Sequence, residues 1–168
     1  MNKEQSAITL GEVTRERLHA YYRGFVSDPD IFMDMSKFFT YHYDPARIDA
    51  YCASLRPREN RKDFLILRNT DPIGELSLKH IDYEKSQCEL SIHLQNDSVK
   101  GKGYGTVAER LALEYAFQKL KLQTVLADSV QKNRRSQHVL EKVGFTLTHE
   151  DDMFKYYRCD RAAFLGTK

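Results

Sequence analysis

A glycine-rich segment at residues 100–106 constrains the fold more than any other part of the sequence. It reads Lys-Gly-Lys-Gly-Tyr-Gly-Thr, follows a segment with strand-like alternation of apolar and polar residues, and precedes a long amphipathic segment typical of a helix. Glycines let main-chain N–H groups approach a ligand closely, and a helix N-terminus adds unpaired donors and partial positive charge. Lys100 and Lys102 add two charges beside these donors. The segment therefore predicts a loop that binds a pyrophosphate.

This segment does not match the nucleotide-binding loops of ATP or NAD enzymes. A Walker A loop requires Gly-Lys-Ser/Thr, whereas Gly101 and Lys102 are followed by Gly103. The dinucleotide-binding fingerprint requires glycine where Thr106 stands. The sequence therefore supports neither ATP nor NAD as the ligand.

The rest of the chain alternates between strand and helix periodicity, without a linker-like stretch. Strands are predicted at 8–13, 63–68, 73–81, 87–94, 124–128, 145–149 and 153–159, and helices at 15–25, 45–58, 103–120 and 133–143. Three consecutive strands before the glycine loop predict an antiparallel meander, and the order strand–loop–helix–strand around it predicts a parallel pair. We therefore expect one α/β domain over residues 1–168, with a mixed, mostly antiparallel sheet of about six or seven strands flanked by about four helices.

Composition and charge exclude several classes of protein. With 26 Lys and Arg against 24 Asp and Glu, the net charge of +2 gives little reason to expect nucleic-acid binding. No run approaches the ~18 apolar residues of a membrane helix, and the first residues lack the features of a secretory signal, so we expect a cytoplasmic protein without a membrane partner. Cys52, Cys88 and Cys159 are odd in number and far apart, which argues against a disulfide framework and a metal site.

A second motif lies downstream of the loop. Residues 133–145 read Asn-Arg-Arg-Ser-Gln-His-Val-Leu-Glu-Lys-Val-Gly-Phe. Asn133 is suited to cap a helix and Gly144 to end it before a strand. These structural roles account for the segment as a helix with defined ends, but they do not explain why its residues occur at this particular spacing.

Together the two motifs resemble those of the GNAT superfamily of acetyltransferases. The glycine loop is similar to that family's acetyl-CoA signature, Arg/Gln-x-x-Gly-x-Gly/Ala, with Lys100 in place of arginine or glutamine. Residues 133–145 are similar to the family's Asn-x-x-Ser/Ala…Glu-Lys-x-Gly-Phe segment. With Glu89 and Leu90 upstream, the pattern is most similar to the ribosomal-protein N-terminal-alanine acetyltransferase branch.

The resemblance implies an enzyme that uses acetyl-CoA, needs no metal, and passes acetyl directly from the thioester to a primary amine. The acceptor is then a protein N-terminal amine, a polyamine or another small amine, and a homodimer is compatible with the family. Many relatives protonate the departing thiolate with a tyrosine in the second motif, where this chain has Leu140. That departure leaves open a second hypothesis, in which the domain binds acyl-CoA as a regulatory module without catalysis.

The resemblance also assigns roles to individual residues. Main-chain groups at the end of the strand before the loop are implied to hold the acetyl oxygen, and the loop and second motif to hold the rest of the coenzyme. The implied coenzyme-binding residues are Ile92, His93, Leu94, Lys100, Gly101, Lys102, Gly103, Tyr104, Gly105, Thr106, Asn133 and Ser136. Glu89 is the implied general base, acting through water, with His93 as an alternative. Ser136 is the implied general acid, with Tyr156 or Tyr157 as alternatives.

Some of these side chains also have a purely structural interpretation. Alternation in residues 88–94 places Glu89 and His93 on one polar strand face, where either side chain can simply be solvated or hydrogen-bonded. In the acidic segment after the first helix, Asp28, Asp30 and Asp34 can attract an ammonium group or merely cap turns. The sequence leaves these alternatives open.

Overall fold

The computed structural model describes residues 7–166 as one sheet with helices on both faces. The strands are β1 (Ile8–Gly11), β2 (Lys62–Arg68), β3 (Asp71–Asp82), β4 (Gln87–Leu94), β5 (Thr124–Val130), β6 (Thr146–Glu150) and β7 (Phe154–Asp160). The α-helices are α1 (Arg15–Arg23), α2 (Pro45–Ser54), α3 (Tyr104–Glu114), α4 (Arg134–Val143) and α5 (Arg161–Gly166). The seven strands lie in the order β1-β2-β3-β4-β5-β7-β6. This confirms the predicted α/β fold and its antiparallel meander.

Three helices begin where a side chain can accept hydrogen bonds from main-chain N–H groups of the first turn. Thr14, Asp44 and Asn133 cap α1, α2 and α4 in this way. Gly144 ends α4 with a φ of +111°, and its N–H reaches carbonyl groups of the last turn. These local signals fix the helix that carries the second motif.

The sheet opens between β4 and β5. The two strands run parallel, as predicted, and pair from Gln87 opposite Thr124 to Glu89 opposite Leu126. On its other edge β4 stays paired with β3 as far as Leu94. Because β4 and β5 part after Glu89 and Leu126, a gap forms between their C-terminal halves, next to the glycine loop.

Two hydrophobic clusters hold the helices against the sheet. On one face, Ile66 and Leu76 pack in a cluster with buried residues of α3, α4 and α5. On the other, Leu65 packs in a cluster with Leu18 of α1 and Ile48 of α2. Neighbouring residues of one strand thus serve opposite layers, as the two-residue period of a strand requires. Burial of each such side chain contributes roughly 1.5–3 kcal/mol, which is why both helix layers dock.

The helices differ from the sequence prediction in three respects. The helix predicted at 103–120 is α-helical only to Glu114, and Tyr115–Lys119 forms a π-helical turn. Hydrophobic periodicity does not distinguish these helical forms over so short a segment. α1 and α2 end at Arg23 and Ser54, earlier than predicted. The short helix α5 is absent from the prediction.

The connection between α1 and α2 contains two 3₁₀ turns, Pro29–Ile31 and Met35–Lys37. The carboxylate of Asp28 accepts a hydrogen bond from the first turn, and that of Asp34 from the second. The turn-capping interpretation is therefore confirmed for Asp28 and Asp34, and the attraction of an ammonium group by this segment stays a prediction. The connection lies over the region where the glycine loop begins, because the main-chain N–H of Val26 donates to the carbonyl of Gln95.

Neither a membrane-spanning helix nor a metal-ligand cluster occurs among the described residues. No helix within residues 7–166 is long and apolar enough to cross a bilayer. In the same range, no group of three or more His, Cys, Asp or Glu side chains is placed to hold a metal ion. The three cysteines are free thiols, and both Cys88 and Cys159 are buried.

Candidate active site

The glycine loop joins the end of β4 to the start of α3. Gly101 and Gly103 have φ angles of +73° and +80°, in the left-handed region that other residues rarely adopt. Gly103 is the N-cap of α3, and no side chain caps this helix. Gly103 supplies no capping side chain, and a helix start without such a cap is the arrangement of an anion site at a helix N-terminus.

Lys100 is the less exposed of the two lysines at this loop. Its side chain is only 11% exposed, and Nζ lies 2.5 Å from Oδ2 of Asp28 and 3.2 Å from Oδ1 of Asp97. Burial alone would raise the pKa of Asp28, but hydrogen bonds from Lys100 and from the main-chain N–H of Asp30 lower it below the ordinary value. The loop thus places the ammonium group of Lys100 beside the helix start, where it is paired with the carboxylates of Asp28 and Asp97.

A cavity lies beside Lys100 and Gly105, and we call it the loop cavity. Its walls come from the α1–α2 connection, the end of β4 and the first turns of α3 and α4. Seven of the predicted coenzyme-binding residues line it: Ile92, His93, Leu94, Lys100, Gly105, Asn133 and Ser136. The other five, Gly101, Lys102, Gly103, Tyr104 and Thr106, belong to the loop and the helix start without lining the cavity. Tyr104 is a core residue, 1% exposed.

A second cavity occupies the opening between β4 and β5, and we call it the gap cavity. It shares Ile31, Ile92, His93, Asn133 and Ser136 with the loop cavity, so the two are adjacent. Leu140, which stands where many relatives have tyrosine, lines the gap cavity. Ser136, the hydroxyl-bearing residue of α4, also lines this cavity, and its role as general acid stays a prediction.

A third cavity lies on the face of the sheet that carries α1 and α2, and we call it the acidic cavity. It shares Ser91 and His93 with the gap cavity and includes Glu75 and Asp63. The carboxylate of Asp63 is paired with Arg61, with Oδ1 2.8 Å from Nη2. Glu75 has no such cation, so it supplies the uncompensated carboxylate of this cavity among the described residues.

Glu75 accepts hydrogen bonds from two tyrosines. The hydroxyl of Tyr22 lies 2.7 Å from Oε2 and that of Tyr51 3.1 Å from Oε1. Burial raises the pKa of Glu75, although both hydrogen bonds act in the opposite direction. Burial also raises the pKa of Tyr22 and of Tyr51, so both hydroxyls remain donors. Glu75 is therefore a more basic carboxylate than an exposed glutamate.

His93 lies where the three cavities meet. It lines all of them, and on the sheet it stands directly opposite Glu75. The side chain of His93 is exposed at this meeting point, and partial desolvation by the surrounding protein lowers its pKa below the ordinary value of 6.5. The ring is therefore neutral near pH ~7, when it can accept a proton.

The remaining predicted catalytic residues lie elsewhere. The carboxylate of Glu89 binds His80 Nδ1 at 3.0 Å and lies 3.8 Å from Lys79 Nζ, and Glu89 lines none of the three cavities. Its role as base stays a prediction. Tyr157 is buried at 2% exposure, and Tyr156 stacks on His149 and donates to Asp151.

Two glutamates that line these cavities belong to no motif. Glu75 shares one strand face with Ser77 and Lys79, so the polar alternation of β3 is the signal that points to it. Glu109 is 2% exposed among the buried residues of α3 and lines the loop cavity. The sequence pattern that could have pointed to Glu109 is a glutamate one helical turn after Gly105, on the face of the helix that should be apolar.

Substituting Glu109→Gln is expected to stabilise the protein at alkaline pH. Burial raises the pKa of Glu109 from 4.5 to about 8. The stability that the neutral acid confers is therefore fully present below the unfolded-state pKa and is lost as pH rises through the folded-state value. Glutamine does not ionise, so the melting temperature of the variant at pH ~9 should exceed that of the wild type by several degrees. This corresponds to a free energy of unfolding that is higher by about 1–3 kcal/mol.

Thermal denaturation at pH ~6 and ~9 measures this difference. Glu84→Gln, which neutralises an exposed carboxylate, serves as the control and should change little. A Glu109→Gln variant with the same pH dependence of melting as the wild type would show that Glu109 is ionised without penalty.

The chain can be compared with known proteins at the level of sequence. Residues 7–146 match the family model described as an acetyltransferase (GNAT) domain. The acetyltransferase PseH of Campylobacter jejuni is 29% identical over 127 residues, which cover 75% of this chain and 77% of PseH. YdaF of Bacillus subtilis, whose name proposes a ribosomal N-acetyltransferase, is 25% identical over 118 residues, covering 66% of this chain and 64% of YdaF.

A solved structure shows the same fold. The spermidine N-acetyltransferase of Vibrio cholerae, crystallised with CoA and spermine, superimposes with a TM-score of 0.75 over 95% of this chain and 99% of that one, at 18% identity. The family match, which covers most of the chain, confirms the predicted family, enzyme class and coenzyme. The chain belongs to the GNAT acetyltransferases, enzymes that take their acetyl group from acetyl-CoA and pass it to an amine.

Proposed function

We propose that this chain transfers acetyl directly from acetyl-CoA to the primary amine of a small molecule bound in the acidic cavity. One observation carries the proposal: His93 lines all three cavities, so they adjoin at this residue and together form a path. The start of α3, which we take as the phosphate site, lies at one end of this path, and the carboxylate of Glu75 lies at the other. An anionic coenzyme and a cationic amine would thus meet beside His93.

The coenzyme side fits the donors present. Main-chain N–H groups at the start of α3 and the ammonium of Lys100 would hold the diphosphate, and Asn133 and Ser136 would contact the arm that enters the gap cavity. Acetyl-CoA, when bound, supplies the acetyl group as a thioester. Main-chain groups of Ile92–Leu94 would hold the carbonyl oxygen as negative charge develops on it.

The acceptor side fits an ammonium group. The carboxylate of Glu75 would attract the cation and take a proton from it, directly or through His93, because both line the acidic cavity. The neutral amine nitrogen would then bond to the carbonyl carbon, and the carbon–sulfur bond would break. The departing thiolate would take a proton from Ser136, while the second proton that the nitrogen loses would pass by way of His93 to Ser136 and restore its hydroxyl. Glu89, the base predicted from the sequence, remains the other candidate carboxylate.

Direct transfer is supported by the state of the cysteines. None of the three lines a cavity of the path. Burial raises the pKa of Cys88 to about 12 and that of Cys159 to about 11, so neither is a thiolate near pH ~7. A covalent acetyl-cysteine intermediate therefore has no suitable nucleophile among these thiols.

A small amine is favoured because side chains enclose Glu75. Tyr51 and Leu55 of α2 form one wall of the acidic cavity, Tyr22 of α1 is bonded to the carboxylate, and β2 supplies Asp63. This leaves less access for a folded protein than for a small molecule. The similarity to a spermidine acetyltransferase crystallised with spermine agrees with this preference.

The test is release of coenzyme A from acetyl-CoA, measured with a panel of amines. We expect polyamines or amino sugars to be acetylated with kcat/KM at least ~10-fold above that of peptides carrying a free N-terminal alanine. Preference for the peptides would instead support the ribosomal branch. Release with no amine of the panel, by protein that binds acetyl-CoA, would favour the regulatory module.

Two further sequence predictions stay proposals. We expect a cytoplasmic protein that forms a homodimer, and the spermidine acetyltransferase of Vibrio cholerae is described as dodecameric in one of its structures. Sedimentation equilibrium measures the assembly directly. A mass equal to that of the 19.6 kDa chain at all concentrations would contradict the dimer.

A further inference from the structure

Glu109 is a buried carboxyl group that the reaction proposed above does not use. Its residue is 2% exposed, and its Oε2 atom has no hydrogen-bond partner among the described residues. It lies one helical turn after Gly105, and both residues line the loop cavity. Buried polar atoms are almost always hydrogen-bonded, so an unpaired one in the wall of a ligand cavity points to a partner on the ligand.

The charged groups around the loop cavity do not neutralise Glu109. Four other titratable residues line the cavity. They are Asp28 of the α1–α2 connection, His93 of β4, Lys100 of the glycine loop and Arg135 of α4. Lys100 is bonded to Asp28, and Arg135 lies 3.6 Å from Asp97. Among the described residues no cation forms an ion pair with Glu109.

Burial is therefore the influence that sets the protonation state of Glu109. It raises the pKa of Glu109 to about 8, and no neighbouring charge is among the causes of that shift. Near pH ~7 the group is mostly a neutral acid with an O–H to donate. Above pH ~8 it becomes a buried anion in the cavity that would hold the phosphates of the coenzyme.

We propose that Glu109 faces coenzyme A as a neutral carboxylic acid that donates its O–H to the coenzyme, and that coenzyme binding excludes the ionised form. The inference rests on the proposed function, because it takes the loop cavity as the coenzyme site. An ionised Glu109 would repel the diphosphate in a cavity of low dielectric constant. Coenzyme binding must then take up a proton wherever Glu109 of the free protein is ionised. Glu109 thereby sets an upper pH limit on coenzyme affinity.

Calorimetric titration with S-methyl-coenzyme A, which lacks an ionisable thiol, tests the proposal. Wild type, Glu109→Gln and the control Glu84→Gln are compared between pH ~7 and ~9.5, in two buffers of different ionisation enthalpy. Between pH ~7 and ~9.5, the Kd of the wild type and of the control should rise by ~30-fold more than that of Glu109→Gln. At the alkaline end, binding to the wild type and the control should take up nearly one proton per site. At pH ~7 the three Kd values should agree within ~3-fold, because glutamine also offers a donor.

A second measurement keeps the test decisive if the glutamine variant folds poorly. In wild-type protein labelled with ¹³C at the glutamate carboxyl carbon, the resonance of Glu109 should titrate near pH ~8 and move to higher pH when S-methyl-coenzyme A is bound. An ordinary titration of Glu109 in the free protein, or the same pH dependence of Kd in wild type and Glu109→Gln, would overturn the inference alone. Absence of binding at every pH would overturn the proposed function as well.

Discussion

Gly105→Glu is expected to weaken coenzyme A binding by ~100-fold or more, while the protein stays at least as stable as the wild type. Gly105 is the second residue of α3, and it lines the loop cavity. A carboxylate there would stand at the helix start and compete with the diphosphate for the same N–H groups and for Lys100. The helix itself gains, because it loses a glycine and acquires a negative charge near its N-terminus, together worth about 1 kcal/mol.

The matched control is Gly105→Ala. A Cβ atom at this position would lie 3.8 Å from Cδ1 of Leu94, an ordinary van der Waals contact, and the backbone angle is not left-handed. We expect alanine to retain coenzyme affinity within ~5-fold, since it adds little volume and no charge. Calorimetry and thermal denaturation report both quantities. Undiminished binding by folded Gly105→Glu would mean that the diphosphate lies elsewhere.

Glu75→Gln is expected to lower kcat by ~100-fold or more, with the Kd for acetyl-CoA unchanged. Glutamine keeps the shape of the side chain and an acceptor for one of the two tyrosine hydroxyls, but it can neither attract an ammonium group nor take its proton. The coenzyme should not sense the change, because Glu75 lines only the acidic cavity among the three. Single-turnover acetyl transfer to the best small amine, beside a separate coenzyme titration, measures both effects.

The comparison with Glu89→Gln decides between the two carboxylates. Glu89 is bound by His80 and Lys79 and lines none of the three cavities, so we expect its variant to lose less than ~5-fold in kcat. A large loss in Glu89→Gln with an active Glu75→Gln would reverse the assignment. Tyr51→Phe refines the test: its hydroxyl lowers the pKa of Glu75, so removing it should move the acidic limb of the rate profile to higher pH.

The local features of the coenzyme side could be predicted because short stretches of sequence determine them. The left-handed backbone at Gly101 and Gly103 follows from the glycines themselves, and the ends of α4 follow from Asn133 and Gly144. Strand alternation likewise placed the polar residues of β4 on one face. Such signals operate within a few residues, without knowledge of the partner strands.

The proposed acceptor site could not be predicted because it depends on contacts between distant segments. Glu75 acquires its character from Tyr22, 53 residues before it, and Tyr51, 24 residues before it. Its position opposite His93 depends on the register of β3 and β4, which alternation alone does not specify. The motif-based choice of Glu89 drew on a resemblance that does not contain this register.

Glu109 illustrates the same limit within one helix. The amphipathic pattern of α3 predicts a buried face, but the pattern does not reveal that part of this face lines a cavity instead of the core. That depends on the packing of α3 against the α1–α2 connection, β4 and α4, which also line this cavity. The sequence therefore shows that a glutamate stands on the buried face of the helix, but it does not predict the protonation state of that glutamate or its role.

The central claim is that main-chain groups of residues 101–106 hold the diphosphate of coenzyme A at the start of α3. Amide ¹H–¹⁵N spectra recorded during titration with coenzyme A, and separately with pantetheine, which lacks the diphosphate, test it most directly. We predict that coenzyme A shifts the amides of residues 101–106 most strongly and that pantetheine leaves them nearly unchanged. Saturation by coenzyme A with those amides unmoved would contradict the claim.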